Sequence, residues 1–378
     1  MNFVVSSSEL LNRLQTLSKV ISSKNASLPI LDNFLFQLKG NELKITASDI
    51  EITFVTTMNI ENVISEGEIS IPAKRLTDLL REFSEQPLEF KIDNSTSSVE
   101  IRWNSGKSNI TGANVDEFPS LPVISDETKS TIGITADALL ESINRTLFAT
   151  ADDQLRPAMN GIYFDLNGEN GSLTFVASDA HKLVKYIRND VTIEKTASFI
   201  LPRKPASLLR SILTKEEENV KIEFDEKNVL FLLNNYVLVC RLIEGVYPSY
   251  NSVIPKNNPN KITVDRVDLL NSIRRVATFS NQVSNLIKLE ITGNELTAYA
   301  QDLDFSVSGD DCVSCQYDGT DMEIGFKSTF LIEILANINS QNILIELADS
   351  TRAALFVPFD KSEKEDLIML LMPMMINS

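Results

Sequence analysis

The chain has 378 residues, 43% of them hydrophobic, with a formal net charge of −17, one histidine and three cysteines. That is apolar material for several cores, yet no apolar run reaches the roughly 18–20 residues of a membrane span, and the N-terminal residues Met1 to Ser6 lack the basic start and long apolar stretch of a secretory signal. A cytoplasmic protein with no membrane partner is expected, and the sparse, odd set of Cys240, Cys312 and Cys315 fits a reducing compartment better than a disulfide framework.

The first predicted element is an amphipathic helix, with Leu10, Leu14, Leu17 and Ile21 on one face of a 3.6-residue period and Ser8 near its start. Leu43, Ile45 and Ala47 then alternate with Lys44, Thr46 and Ser48, a strand with one buried face that closes on Asp49. The phrase Ile71-Pro-Ala-Lys74 opens a second helix carrying Leu76, Leu79, Leu80 and Phe83, and Leu88, Phe90 and Ile92 mark a further strand. Ser105-Gly-Lys-Ser108 resembles the end of a phosphate loop, but Ile101 stands where that loop needs its leading glycine. Strand-like runs at 100–103 and 109–111 flank it, so a hairpin turn is expected. Phe118-Pro-Ser-Leu-Pro122 leads into a polar stretch and marks a seam near residue 124.

The same series then runs twice more. Leu139, Ile143 and Leu147, and later Leu269, Ile273 and Val276, give helices with Asp137 and Asp268 near their starts. The strands Leu173, Phe175, Ala177 and Leu296, Ala298, Ala300 close on Asp179 and Asp302, and Leu201-Pro-Arg-Lys204 and Ile324-Gly-Phe-Lys327 repeat the second phrase. The interval from Asp to Lys is 25 residues in all three copies. Tyr247-Pro-Ser-Tyr250 echoes the first seam and places a second near 256. The chain therefore reads as three copies of one α+β unit of about 125 residues, two helices packed on mainly antiparallel sheet, with domains at 1–124, 125–256 and 257–378.

Enzymatic chemistry finds little to use. His181 has no nucleophile motif beside it, no dinucleotide fingerprint occurs, and an Asp that recurs at a strand end in every copy reads as a turn or cap. Cys312 and Cys315 lack a second paired ligand motif for zinc. No catalytic residue, metal or cofactor is expected.

Charge is better read by face than by total. The six inferred helices, at 7–22, 74–83, 137–147, 204–215, 267–277 and 327–337, are together net basic, so the rest of the chain is more acidic than −17. Arg145, Arg274 and Arg275 project away from the apolar stripes of their helices, as residues facing a polyanion would. If helices line a hole at a spacing of about 10 Å, six leave a bore of about 9 Å and twelve about 28 Å once a helix width of about 10 Å is removed. A duplex about 20 Å across needs two chains.

The triplicated unit, Leu28-Pro-Ile-Leu31, Ala177-Ser-Asp-Ala-His-Lys-Leu183, Tyr247-Pro-Ser-Tyr250 and Met372-Pro-Met374 together resemble the bacterial DNA polymerase III beta subunits, the replicative sliding clamps, over essentially the whole chain. The resemblance implies three clamp domains forming half of a head-to-tail homodimeric ring that encircles double-stranded DNA without sequence readout. It implies a non-catalytic, cytoplasmic and nucleoid-associated processivity factor. It would be loaded by a clamp-loader complex and would tether the polymerase III alpha subunit, other polymerases and repair proteins through short linear motifs. Residue by residue, the peptide pocket would be Met159, Ser178, Ala180, His181, Lys182, Leu183, Pro248, Val253, Leu370 and Met372. The DNA-facing set would be Lys24, Lys74, Arg75, Arg203 and Lys204, joined by Arg145, Arg274 and Arg275, and the dimer interface Ile110, Thr278 and Phe279. Ala180, Lys182 and Ser252 depart from the family's usual Gly, Arg and basic residue, and the tail runs on to Ser378.

Overall fold

The computed structural model describes every residue except 22–27, 121, 123, 126, 127, 194, 215, 217, 377 and 378. Each expected helix forms: α1 Ser7–Leu17, α2 Ala73–Arg81, α3 Ala136–Thr146, α4 Arg203–Leu213, α5 Arg266–Ala277 and α6 Ser328–Ala336. Their apolar stripes are buried, Leu10, Leu14 and Leu17 on α1 and Leu269, Ile273 and Val276 on α5. The caps sit slightly earlier than the sequence suggested. Ser6 accepts the Glu9 N–H and starts α1, and the Asp265 carboxylate accepts the N–H groups of Val267 and Asp268 and starts α5, which satisfies orphan donors of the first turn. α1 ends at Leu17, before residue 22, where the bonding tightens to i→i−3 turns, the Val20 N–H on the Leu17 carbonyl and the Ile21 N–H on the Ser18 carbonyl.

The strands gather into sheets of five, eight and twelve, and the chain divides into two compact units, Met1–Asp137 with Ser207–Leu242, and Ala138–Ala206 with Ile243–Ser378. In the first unit the strand Tyr236–Arg241 pairs antiparallel with Ile52–Asn59, Leu238 opposite Phe54, so one sheet runs from the second repeat into the first. In the second unit Glu365–Leu371 pairs with Lys182–Arg188, Met369 opposite Val184, and one sheet runs from the second repeat into the third. Both seams use the same two strands of the repeat. Aromatic residues fill the cores, Phe3 on Phe90 in the first unit and Phe164 between Phe175 and Phe199 in the second.

The ladder corrects one sequence reading. Three residues before the repeated aspartates, Thr46, Val176 and Tyr299 pair with Leu35, Tyr163 and Lys288, so Asn33, Gly161 and Leu286 are equivalent, and they pair with Pro72, Pro202 and Lys327. Lys327 therefore stands where the prolines stand, two residues before the equivalent of Lys74 and Lys204, and α6 begins after it. The common interval of 25 residues hides a longer third-copy strand, Val307–Tyr317. A second expectation also shifts: Ser172–Ser178 is buried along its whole length, so its sheet is covered on both faces.

Candidate functional site

Strand alternation separates two faces in the second unit. Phe164, Phe175 and Phe199 point into the core, while Tyr163, Val176, Ile200, Leu183, Leu355 and Leu370 make an apolar cluster on the opposite face. The segment after the second repeat folds onto that cluster. Tyr247 stacks on Tyr163, and the Tyr250 hydroxyl donates to Asp165 at 2.7 Å. Burial and the neighbouring Asp165 carboxylate push the Tyr250 phenol above its usual range, so it stays a donor.

A tight turn borders the cluster. Asp179 accepts the N–H groups of His181 and Lys182, both at 2.9 Å, while the Ser178 hydroxyl donates to the Lys182 carbonyl and accepts the Ala180 N–H. Ala180 sits at φ 75°, and Ile50, the residue after Asp49, repeats this at φ 81°. The aspartates of these two copies act as turn caps, as their position suggested. The turn holds His181 at the surface beside the C-terminal segment, where Met372 donates its N–H to the His181 carbonyl at 2.8 Å.

Of the residues read as a peptide pocket, Leu183 and Leu370 lie in the cluster and Ser178 on its face. Met159 is buried next to Ala158, which packs on the cluster, and Ala180, His181, Pro248, Val253 and Met372 are exposed at its border. Lys182 is different. Alternation turns it to the other face, where it is 5% exposed and paired with Asp179 at 2.8 Å and Glu333 at 3.0 Å. It is a buried ion-paired residue of the seam and does not line the cluster. Sequence reading missed Phe330 and Lys327: the His181 ring stacks 6.0 Å from Phe330, and Lys182 and Lys327 hold their ammonium groups 4.1 and 4.6 Å from that ring's centroid. Phe330 had only its position in the first turn of α6 as a signal, whereas Lys327 stands in the repeated phrase. Tyr163 and Tyr250 were also missed.

Among the residues read as DNA-facing, Lys24 lies outside the described residues. Lys74 and Arg75 are exposed in the first turn of α2, and Arg203 and Lys204 in that of α4, with no acidic residue in either turn. Cations are disfavoured at the positive end of a helix dipole, so this placement offers helix dipole and side chains together to an anion. Arg274 is exposed on α5. Arg275 is already held by Asp311, at 2.6 Å through Nε. Arg145 contradicts its reading: it is 7% exposed, caps the Asn337 carbonyl at the end of α6 and pairs with Glu141. Its long stem folds across a helix junction, which helical periodicity alone does not reveal.

The interface candidates lie on sheet edges or beside them. Ile110 belongs to the strand Gly106–Thr111, which among the described residues pairs only with Ser98–Trp103, and its side chain is buried in the chain's own core. Thr278 and Phe279 follow α5, and the Phe279 ring lies against Gly309. Phe279, Leu303, Phe305 and Val307 form an exposed apolar series along that edge. Among the described residues no group of three His, Cys, Asp or Glu side chains is arranged to hold a metal, and no helix is long and apolar enough to cross a membrane.

Three family descriptions match the chain in series: the DNA polymerase III beta subunit N-terminal domain at residues 1–122, its central domain at 133–249 and its C-terminal domain at 251–375. The chain is 26% identical to the beta sliding clamp of Pseudomonas aeruginosa over 99% of this chain and 100% of that protein. It is 27% identical to the beta sliding clamp of Streptococcus pneumoniae, covering 100% of each. A crystal structure of the P. aeruginosa sliding clamp bound to griselimycin superposes with a TM-score of 0.93 at 25% identity, covering 100% of each chain.

Proposed function

The chain belongs to the DNA polymerase III beta subunit family, the bacterial replicative sliding clamps, and on that premise we propose how its surfaces do the clamp's work. Two copies join head to tail into a ring around duplex DNA, in the cytoplasm and on the nucleoid, with the basic helix starts of α2 and α4 toward the phosphates. The chain performs no chemistry of its own.

The observation that carries this reading is an unused pair of strand edges. Two seams within the chain join the last strand of one repeat to the strand after the repeated Asp of another. Among the described residues, the third such pair is Gly106–Thr111, which has one neighbour, and the 307–314 part of Val307–Tyr317, which pairs only with Glu295–Asp302. The same rule applied between copies joins these edges twice. The closed ring leaves neither edge open to aggregation.

Contacts from mobile Lys and Arg to phosphates hold the ring without reading bases, which suits sliding. The Tyr163–Tyr247 cluster, with His181, Phe330, Val253 and Met372 around it, suits a short linear peptide with apolar anchors, as carried by the polymerase alpha subunit, the clamp loader and other polymerases and repair proteins. The P. aeruginosa clamp solved with griselimycin supports a ligand site in this fold.

The test is topological. Loaded on nicked circular DNA, the protein should withstand about 1 M salt, which screens phosphate contacts, and should leave once the circle is cut. If high salt strips closed circles and linear DNA equally, the ring is wrong.

A further inference from the structure

The first two repeats cover one face of their sheet with an aromatic residue, and a cavity stands over the equivalent place in the third. In the first, Ala113 bridges to Ser70, and five residues later Phe118 packs on Ile30 and Leu31. In the second, the Ile243 N–H donates to the Ile200 carbonyl, and four residues later Tyr247 packs on Tyr163. In the third, the Met374 N–H donates to the Gly325 carbonyl. Ser70, Ile200 and Gly325 occupy the same rung, opposite Leu35, Tyr163 and Lys288. Over that third rung stands a cavity of about 850 Å³, lined by Leu286, Lys288, Tyr299, Leu303, Met375 and Ile376 among others. It lies apart from every residue assigned above to the peptide cluster or the basic helix starts, and shares Leu303 with the apolar series beside the sheet edge.

We propose that this cavity is a docking site for a tyrosine or phenylalanine side chain on an extended segment of a partner protein. The occupant follows from what fills the same place in the sister repeats, an aromatic residue followed by proline. Tyr299 presents a ring where Val176 stands beneath Tyr247, and the Lys288 ammonium lies 5.6 Å from its centroid. A guest ring gains offset stacking from the first and a nearby cation from the second. Leu303 and Met375, 79% and 81% exposed, supply apolar walls, and methionine adapts to irregular guests. Asp304 and Glu323 outnumber Lys288 among the charged lining residues, so the segment should carry a Lys or Arg beside its aromatic residue. The cavity also shares the C-terminal segment with the Tyr247 cluster, Met372 standing at one and 374–376 at the other. A partner held in the first site therefore reaches the second. Docking here depends on the third repeat alone and does not require the ring.

A labelled peptide copying residues 243–250 of this chain with Glu244→Lys is the probe, and the same peptide with Tyr247→Ala is its control. Fluorescence anisotropy should show saturable binding to the full chain. Tyr299→Ala and Leu303→Lys should weaken it at least tenfold with unchanged melting, while Val253→Asp leaves it intact. Leu303 is a surface residue, so its variant keeps the test valid if Tyr299→Ala fails to fold. Absence of saturable binding, equal binding of the Tyr247→Ala peptide, insensitivity to Leu303→Lys, or loss in Val253→Asp would each overturn the proposal.

Discussion

Tyr247 lies flat on Tyr163, ring centroids 4.8 Å apart and planes 8° from parallel. This stacking fastens the segment after the second repeat to the sheet face proposed to take the peptide. Tyr247→Ala empties a buried aromatic seat among Val176, Ile200 and Leu370, at a cost of about 3–5 kcal/mol. A lower melting temperature and at least tenfold weaker binding of a polymerase-derived peptide are expected. Unchanged peptide affinity would detach the cluster from recognition.

Arg188 centres the seam between the second and third repeats, paired with Asp190 at 2.5 Å and Glu365 at 2.9 Å and accepted by the Tyr186 hydroxyl. The Arg188 guanidinium holds the Asp190 carboxyl below its usual range, while burial and Glu365 keep the Tyr186 phenol neutral. A depressed carboxylate adds stability that is complete above its ordinary value, about 4, and is lost as pH falls through its lower folded value. Melting between pH 3 and 7 should therefore drop more steeply at the acid end for the native chain than for Asp190→Asn. Arg188→Ala, which strands the Asp190 and Glu365 carboxylates, should cost about 3–5 kcal/mol at neutral pH.

Phe279 covers Gly309, and any side chain added at 309 would meet its ring. Phe279→Asp and Gly309→Val both disturb the edge proposed to meet a second copy. Light scattering should fall from the mass of two chains to that of one, without loss of folded signal. A dimer that survives both changes would rule out this edge.

The basic residues divide into two kinds. Lys74→Ala with Lys204→Ala should leave stability unchanged and lower the slope of log affinity against log salt by about 0.9 for each phosphate no longer neutralised. Arg145→Ala should leave that slope alone and destabilise the fold, because it opens the Asn337 carbonyl and the Glu141 pair.

The C-terminal segment offers a clean cut. Leu371 is buried and pairs with Lys182, so truncation should begin at Met372. Removing 372–378 should weaken peptide binding at least tenfold and spare the dimer, as measured by anisotropy and scattering.

Most of the repeat was legible because its signals are local. Leu10, Leu14 and Leu17 had to share a helix face, and Leu173, Phe175 and Ala177 a strand face, whatever else the chain did. The errors came where a long side chain or a small insertion intervened. In sequence Arg145 reads as a cation facing a polyanion and Lys182 as a pocket residue, yet each reaches an acceptor contributed by α6 or its end. Lys327 kept the interval of its sisters while losing their place, since a two-residue insertion leaves composition and period almost untouched.

By itself the order of residues decided that there are three units, which helices and strands each contains, and which family they resemble, since periodicity and phrase repetition act within a few turns of chain. Tertiary structure alone decided which strands meet at the two seams, which cations are spent on buried partners, and which aromatic residues cover a sheet face. Those outcomes depend on groups far apart in the chain, such as Lys182 and Glu333, and no local spacing encodes the distance between them.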